Sequence, residues 1–308
     1  MGSFPRRRFA LTSLHGIYPI VPTPFDADGR IDEASIASLA AFMLERGIQG
    51  LAILGVMGEA QKLTDAERDQ VVAAFRAALP KGRALIVGTG AAATDPALAA
   101  CARAADLGAD GLLVAPPAVQ NDDAIFEYYR RINAATPLPV VLHDYPPSTG
   151  ILMSVPLIAR LHRDLARVRY IKVEDAPTGP KIERLHQAAG PGLGIFGALG
   201  GAYAFEELDR GAIGIMTGFA YPEVLVEIQR RYEFGDRAGA AALFYDALPL
   251  IRWEFQPGLG VSLRKEILVR RGAIRHAAVR HPGAVADAKT LEHLDLILDH
   301  LRGRGVIA

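Results

Sequence analysis

Lys172 and Glu174 are the residues of this sequence best placed to do chemistry. They stand two positions apart in "YIKVED", and Lys172 lies inside the β-favouring run 168–173. Residues two apart in a strand point to the same face, so the amine and the carboxylate should lie side by side. Lysine is depleted in strands and rarely buried unpaired. A partly apolar site lowers the pKa of an amine, whose neutral form can attack a ketone and form a Schiff base. The alternative is a surface lysine paired with Glu174 or Asp175.

Two further segments could join this pair at one rim. His143 ends the apolar run "PVVLH", and the loop after the second predicted strand carries "GVMGE". Its glycines let backbone N–H groups converge on an anion. The substrate-binding candidates in that loop are Gly55, Val56, Met57 and Gly58. Each signal is weak alone, since a core histidine and a tight turn would look the same. The eight histidines show no paired ligand spacing, so no metal site is predicted.

Short β-type runs alternate with amphipathic stretches, which is the pattern of βα units around a parallel sheet. We predict eight strands, at 17–21, 50–54, 84–88, 111–115, 139–143, 168–172, 194–197 and 212–216. Eight units indicate a (β/α)₈ barrel, whose active sites lie at the C-terminal ends of the strands. A doubly wound sheet is the minor alternative, because no G-x-G-x-x-G follows the first strand.

Helix signals complete this architecture. Asp32 and Glu33 open the first helix, Thr64 with Glu67 forms a capping box, and Thr94 is predicted as an N-cap. After the last strand only helices are predicted, at 222–234, 236–251, about 260–271 and 289–302. We therefore divide the chain into a catalytic barrel, residues 1–220 with a short N-terminal arm, and a C-terminal helical region, residues 221–308.

The amino-acid composition limits the classes of partner that this protein is expected to bind. The 308 residues are 50% hydrophobic and 22% charged, with zero formal net charge, so no basic field attracts nucleic acid or a membrane surface. A small-molecule partner is expected. The sole cysteine, Cys101, indicates a reducing compartment. The start "PRRRFALTSLHG" is interpreted as a basic arm rather than an export signal, and no window is long and apolar enough to span a membrane. A cytoplasmic protein is expected.

Five segments carry a family resemblance that covers nearly the whole chain. They are "GIYPIVPTPFDADGRID", "GIQGLAILGVMGEAQKLTDAER", "GADGLLVAPP", "LPVVLHDYPPSTG" and "YIKVED". In this order they resemble the dihydrodipicolinate synthase / N-acetylneuraminate lyase family. The resemblance implies a (β/α)₈ barrel with C-terminal helices and a Schiff base between Lys172 and a 2-oxo acid, with no cofactor. It also implies carboxylate binding by the "GVMGE" turn and a homo-oligomer, a tetramer or a dimer.

Departures from the family pattern bear on the substrate. Val56 and Met57 replace the hydroxyl residues of Gly-Thr-Thr-Gly-Glu, and His143 replaces the tyrosine that usually carries protons to the imine. Asp144 stands where asparagine is common. "APPAV" lacks a tyrosine of the synthase, and Ser148 occupies the place of the arginine that grips its second substrate. Dihydrodipicolinate synthase and standard sialic acid lyase activities are therefore not expected.

A carboxylate two residues after the lysine resembles the 2-keto-3-deoxyarabonate (pentonate) dehydratase branch. We predict that Lys172 forms the imine, that Glu174 removes a C3 proton and assists loss of the C4 hydroxyl, and that His143 shares the proton load. Thr217 and Phe219 are predicted to line the distal pocket. Three alternatives stay open. They are retro-aldol cleavage to pyruvate plus an aldehyde, deamination of a pyrroline-4-hydroxy-2-carboxylate, and a non-enzymatic sugar-acid sensor.

Overall fold

The computed structural model describes residues 14–308 and contains a closed parallel barrel. The strand order is β1-β8-β7-β6-β5-β4-β3-β2, and β1 pairs with β8. The strands are β1 Gly16–Ile17, β2 Gly50–Ile53, β3 Ala84–Gly88, β4 Gly111–Val114, β5 Val140–Asp144, β6 Val168–Val173, β7 Gly194–Gly197 and β8 Gly214–Ile215. All eight predicted strands and the predicted fold class are thus confirmed.

β1 is shorter than the predicted 17–21 because of its prolines. Pro19 has no backbone N–H and cannot complete a regular ladder. The barrel still closes between β1 and β2, since Ala52 N donates to Pro19 O at 2.9 Å and Val21 N donates to Ala52 O at 3.0 Å.

A helix follows each strand on the outside of the barrel. Within residues 14–308 the helices are α1 Glu33–Glu45, α2 Asp65–Ala78, α3 Thr94–Asp106, α4 Asp122–Ala135, α5 Pro146–Thr149, α6 Val155–Asp164, α7 Thr178–Ala189, α8 Ala204–Asp209, α9 Pro222–Glu233, α10 Arg237–Glu254, α11 Gly260–Arg270 and α12 Ala288–Gly303. Among helices of the described part of the chain, none is long and apolar enough to cross a membrane.

The predicted N-caps are confirmed at two helices and wrong at a third. Asp32 caps α1 by accepting from Ser35 N at 3.0 Å, and Thr64 with Glu67 forms the predicted capping box of α2. The prediction for Thr94 was wrong. Ala93 is the N-cap of α3 and Thr94 is already helical, with no side-chain cap. The four C-terminal helices are confirmed, although α10 runs past Pro249 to Glu254.

Two apolar layers hold the barrel and its helices together. A large layer fills the space between strands and helices. A smaller cluster fills the barrel interior and includes Tyr18, Ile86, Val141, Phe196 and Met216. The barrel interior is therefore a packed core. Of the predicted basic arm, residues 5–13 lie outside the described part of the chain.

Candidate active site at the barrel mouth

Lys172 stands at the C-terminal end of β6, inside the barrel mouth. Its Cα is paired in register with that of His143 on β5, and its side chain is 4% exposed. A lysine buried to this degree is not a snorkelling surface residue. The alternative of a surface lysine, left open from sequence, is therefore wrong.

Glu174 lies just beyond β6 and is held in an extended conformation. Its backbone N donates to Asp144 O at 2.9 Å, so the β5–β6 ladder continues past the assigned strand. One carboxylate oxygen, Oε2, accepts directly from Lys172 Nζ. The other, Oε1, accepts from Leu199 N at 3.2 Å. Both oxygens are thus engaged, and the carboxylate is aimed at the amine.

His143 completes a compact triad with these two residues. Its Nε2 is 3.0 Å from Glu174 Oε2 and 3.3 Å from Lys172 Nζ. Its ring stacks on that of Tyr145, with centroids 6.0 Å apart and planes 16° from parallel. Burial, together with the nearby Lys172, lowers the pKa of His143 well below its usual value. The lowered pKa favours the neutral imidazole, in which one ring nitrogen donates a hydrogen bond and the other accepts one.

Burial also determines the direction in which the pKa of the Lys172 amine is shifted. It lowers the pKa of Lys172 well below 10.5, while the negative charges of Glu207 and Asp144 act in the opposite direction. Glu207 lies fully buried on α8, where burial raises its pKa to about 7. A lowered amine pKa leaves more of the neutral nucleophile that a Schiff base requires.

The triad opens into a cavity of about 570 Å³. Of the predicted substrate-binding residues, Val56, Met57 and Thr217 line it. Gly55 and Gly58 flank the same tight turn, which begins after the left-handed residue Leu54. Phe219 is not among the lining residues, because its side chain packs into the core between the strands and helices.

The turn of residues 55–59 is anchored by Glu59. This residue is buried in a left-handed conformation, with φ of 53°. Its carboxylate is paired with Lys265 Nζ at 2.7 Å and with Lys62 Nζ at 2.8 Å, and it accepts from Arg280 N at 3.0 Å. The C-terminal helices therefore hold the turn in place.

Tyr145, Glu254 and Arg264 are among the cavity residues that escaped the sequence reasoning. Tyr145 could have been found, since it stands two positions after His143 and so should share its face. Glu254 and Arg264 come from α10 and α11, and no local signal indicates that these helices reach the barrel mouth. Among residues 14–308, no group of three or more potential ligand side chains is placed to hold a metal ion.

Fold and site together define a lyase that works through a lysine Schiff base. Residues 13–301 match the model of the Dihydrodipicolinate synthetase family, and the chain belongs to that family. Its members use a lysine Schiff base on small 2-oxo acids without a cofactor.

Relatives and solved structures agree with this assignment. The L-2-keto-3-deoxyarabonate dehydratase of Azospirillum brasilense is 31% identical over 286 residues, 91% of this chain and 90% of that protein. The 4-hydroxy-tetrahydrodipicolinate synthase of Synechococcus sp. (strain CC9605) is 34% identical over 236 residues, 75% of this chain and 77% of that protein. The crystal structure of dihydrodipicolinate synthase from Rhodopseudomonas palustris has a TM-score of 0.89 and 36% identity, covering 94% of this chain and 98% of that one.

Proposed function

We propose that this protein dehydrates a 2-keto-3-deoxy sugar acid, with 2-keto-3-deoxyarabonate as the expected substrate and 2-oxoglutarate semialdehyde as the product. Lys172 is the imine-forming residue, Glu174 the general base and acid, and His143 their partner. The direct contact between Glu174 and Lys172 Nζ carries the proposal. The similarity to the Azospirillum brasilense dehydratase supports it.

The first half of the reaction makes the C3 proton acidic. The neutral Lys172 amine attacks the C2 ketone, and loss of water gives an iminium whose positive charge Glu174 compensates. C3 lies two bonds from the imine nitrogen, so a carboxylate that touches this nitrogen is within reach of the C3 protons. Glu174 removes one of them and an enamine forms.

The second half expels the C4 hydroxyl. Protonated Glu174 returns its proton to the departing oxygen, and the enamine electrons form the new C3–C4 double bond. Tautomerisation then moves unsaturation to C5, and water hydrolyses the imine to free Lys172. The balance is the loss of one water molecule, with no C–C bond broken and no oxidant needed.

The substrate carboxylate is assigned to the turn of residues 55–59. The first N–H groups of a helical turn have no carbonyl partner inside that turn, so Val56 N and Met57 N are suitable donors. Without the hydroxyl residues of the family pattern at positions 56 and 57, backbone donors are what this turn supplies.

Dihydrodipicolinate synthesis fits this site poorly. Ser148, where the synthase pattern has its substrate-gripping arginine, is an exposed residue in the short helix α5. His143 stands in place of the tyrosine that serves the imine. Ser148 and His143 therefore argue that, after imine formation, this protein catalyses a different reaction from that of the synthase.

Retro-aldol cleavage is the second candidate, because Tyr145 offers an alternative base. Its ring centroid is 5.8 Å from Lys172 Nζ, and it lines the cavity. A phenolic oxygen that took the proton of the C4 hydroxyl would lead to pyruvate and an aldehyde instead of dehydration.

Proton NMR of the protein incubated with 2-keto-3-deoxyarabonate of both C4 configurations separates the two reactions. The semialdehyde should appear with one configuration, and Lys172→Ala should abolish both turnover and borohydride trapping of the imine. Pyruvate and glycolaldehyde as products would overturn the dehydratase proposal and leave the Schiff base intact.

A further inference from the structure

Arg264 is a buried arginine in the cavity wall, and one of its donors has no hydrogen-bond partner. It lies on α11 and lines the same space as Lys172. Its side chain is 7% exposed. Its Nε donates to Glu254 Oε2 at 3.0 Å, but its Nη2 is buried and has no hydrogen-bond partner among the described residues. Buried polar groups in native structures are normally paired, so an unpaired donor on an arginine that lines the cavity indicates a ligand.

The third nitrogen of the guanidinium is little better satisfied. Arg264 Nη1 is 2.7 Å from Met57 Sδ, and a thioether is only a weak acceptor. Met57 is one of the positions at which this chain departs from its family's pattern of hydroxyl residues. Arg264 and Met57 therefore act together, because the weak contact with the thioether leaves the guanidinium N–H groups available to a stronger hydrogen-bond acceptor.

The charges of Arg264 and Glu254 determine which kind of ligand group can bind to this guanidinium. Glu254 is fully buried and is Arg264's ion-pair partner, and Ala220 N donates to the same carboxylate at 3.1 Å. The pair presents N–H donors and carboxylate lone pairs without net charge. A hydroxyl group both donates and accepts, so it complements such a pair, whereas a second carboxylate would be repelled by Glu254.

We infer that the Arg264–Glu254 pair binds the distal hydroxyl end of the substrate. This inference rests on the proposed function and deepens it, by assigning a 2-oxo acid with a neutral, hydroxylated tail. Lys172 reaches the cavity from β6 and Arg264 from α11, and the guanidinium contacts the end of the Met57 side chain rather than the backbone N–H groups assigned to the substrate carboxylate. A cavity of about 570 Å³ has room for more than a three-carbon acid.

The test compares imine formation with two acids of different length. Pyruvate has no distal group, whereas 2-keto-3-deoxyarabonate has two distal hydroxyls. Borohydride trapping followed by intact mass gives the half-saturating concentration of each acid. Arg264→Met should raise that concentration about 10-fold or more for 2-keto-3-deoxyarabonate and leave it nearly unchanged for pyruvate.

Arg270→Met is the matched control. Arg270 lies on the same helix and pairs with Glu266 and Asp295 at the surface. It should trap both acids like the wild type. An equal loss for both acids in Arg264→Met would assign Arg264 to the shared carboxylate or to the fold and overturn the inference. No loss for either acid would overturn it as well.

A second variant keeps the inference testable if Arg264→Met does not fold. Glu254→Gln leaves the guanidinium without its counter-charge, so trapping of 2-oxoglutarate should strengthen relative to pyruvate by about 5-fold or more. An unchanged ratio would contradict the charge argument. Borohydride trapping measures imine formation and does not depend on which product forms. Pyruvate and glycolaldehyde in the NMR assay would therefore overturn the dehydratase proposal without affecting the trapping result for the Arg264–Glu254 pair.

Discussion

The proposed role of Glu174 as proton carrier depends on how its carboxylate is held. Its Oε2 contacts both Lys172 Nζ and His143 Nε2, and its Oε1 is fixed by Leu199 N. Fixed contacts on both oxygens orient the carboxylate before substrate arrives. Such preorganisation is what general base catalysis at the C3 carbon requires.

Glu174→Gln should separate imine formation from dehydration. The amide keeps the shape and the contact with Leu199 but cannot take a proton. Imine trapping with pyruvate should persist, while semialdehyde formation should fall by roughly 10²–10⁴-fold. Wild-type turnover in this variant, measured by product NMR, would sink the role assigned to Glu174. Glu174→Asp is the control that retains a base at a shorter reach.

Glu207→Gln should shift the pH dependence of imine formation. The charge of Glu207 raises the pKa of Lys172 against the larger effect of burial. Removing this charge lowers that pKa, so the neutral amine persists to lower pH. Glu207 carries its charge mainly above pH 7, because burial raises its own pKa to about 7. In that range the borohydride trapping rate with pyruvate should therefore be higher in Glu207→Gln than in the wild type. A rate above pH 7 that is unchanged or lower would contradict the assigned influence of Glu207.

Some features of the individual helices and strands depend on local sequence, and others depend on tertiary packing. β5 and β6 bring His143 and Lys172 together because their Cα atoms are in register. That pairing follows from the parallel ladder and not from either strand alone. Helix starts are a more local matter, and two threonines allow a direct comparison.

Thr64→Ala should destabilise the protein by about 1 kcal/mol, because Thr64 caps α2 through Glu67 N. Thr94→Ala removes the same atoms from the first turn of α3, where Thr94 makes no cap. It should be nearly neutral, since alanine favours helix. Urea unfolding measures both free energies. Equal losses for the two variants would show that the capping box contributes nothing of its own. Neither change should affect imine trapping.

At the scale of the whole molecule, the C-terminal helices complete the barrel mouth. Lys265 on α11 is fully buried and donates to Glu59 Oε1 at 2.7 Å and to Ala278 O at 2.7 Å. This pair connects residues more than two hundred positions apart and holds the turn that we assign to the substrate carboxylate. The helical region is therefore part of the site and not an appendage to it.

Lys265→Met should destabilise the protein strongly, by about 3 kcal/mol, because it takes one partner from a buried pair. Glu59 keeps Lys62 as a partner, so the loss should stay near the lower end of the range for such changes. Chemical unfolding provides the measurement, with Arg270→Met as the surface control on the same helix. A loss no greater than that of Arg270→Met would show that the buried pair does not secure the mouth.

The sequence by itself determined the strand count, the barrel and the shared face of Lys172 and Glu174. These features depend on hydrophobic runs and on the two-residue period of a strand, which are local properties of the chain. The capping box at Thr64 is local for the same reason. His143 was placed at the rim by its position at the end of an apolar run.

Only the tertiary structure decided which distant side chains meet at the mouth. Arg264 and Glu254 reach the cavity because α10 and α11 pack over it, Leu199 N fixes Glu174, and Phe219 turns into the core. Each outcome depends on the rotation of one element against others far away in sequence. Local propensity carries no information about that rotation, since it is the burial of apolar surface between elements that selects it.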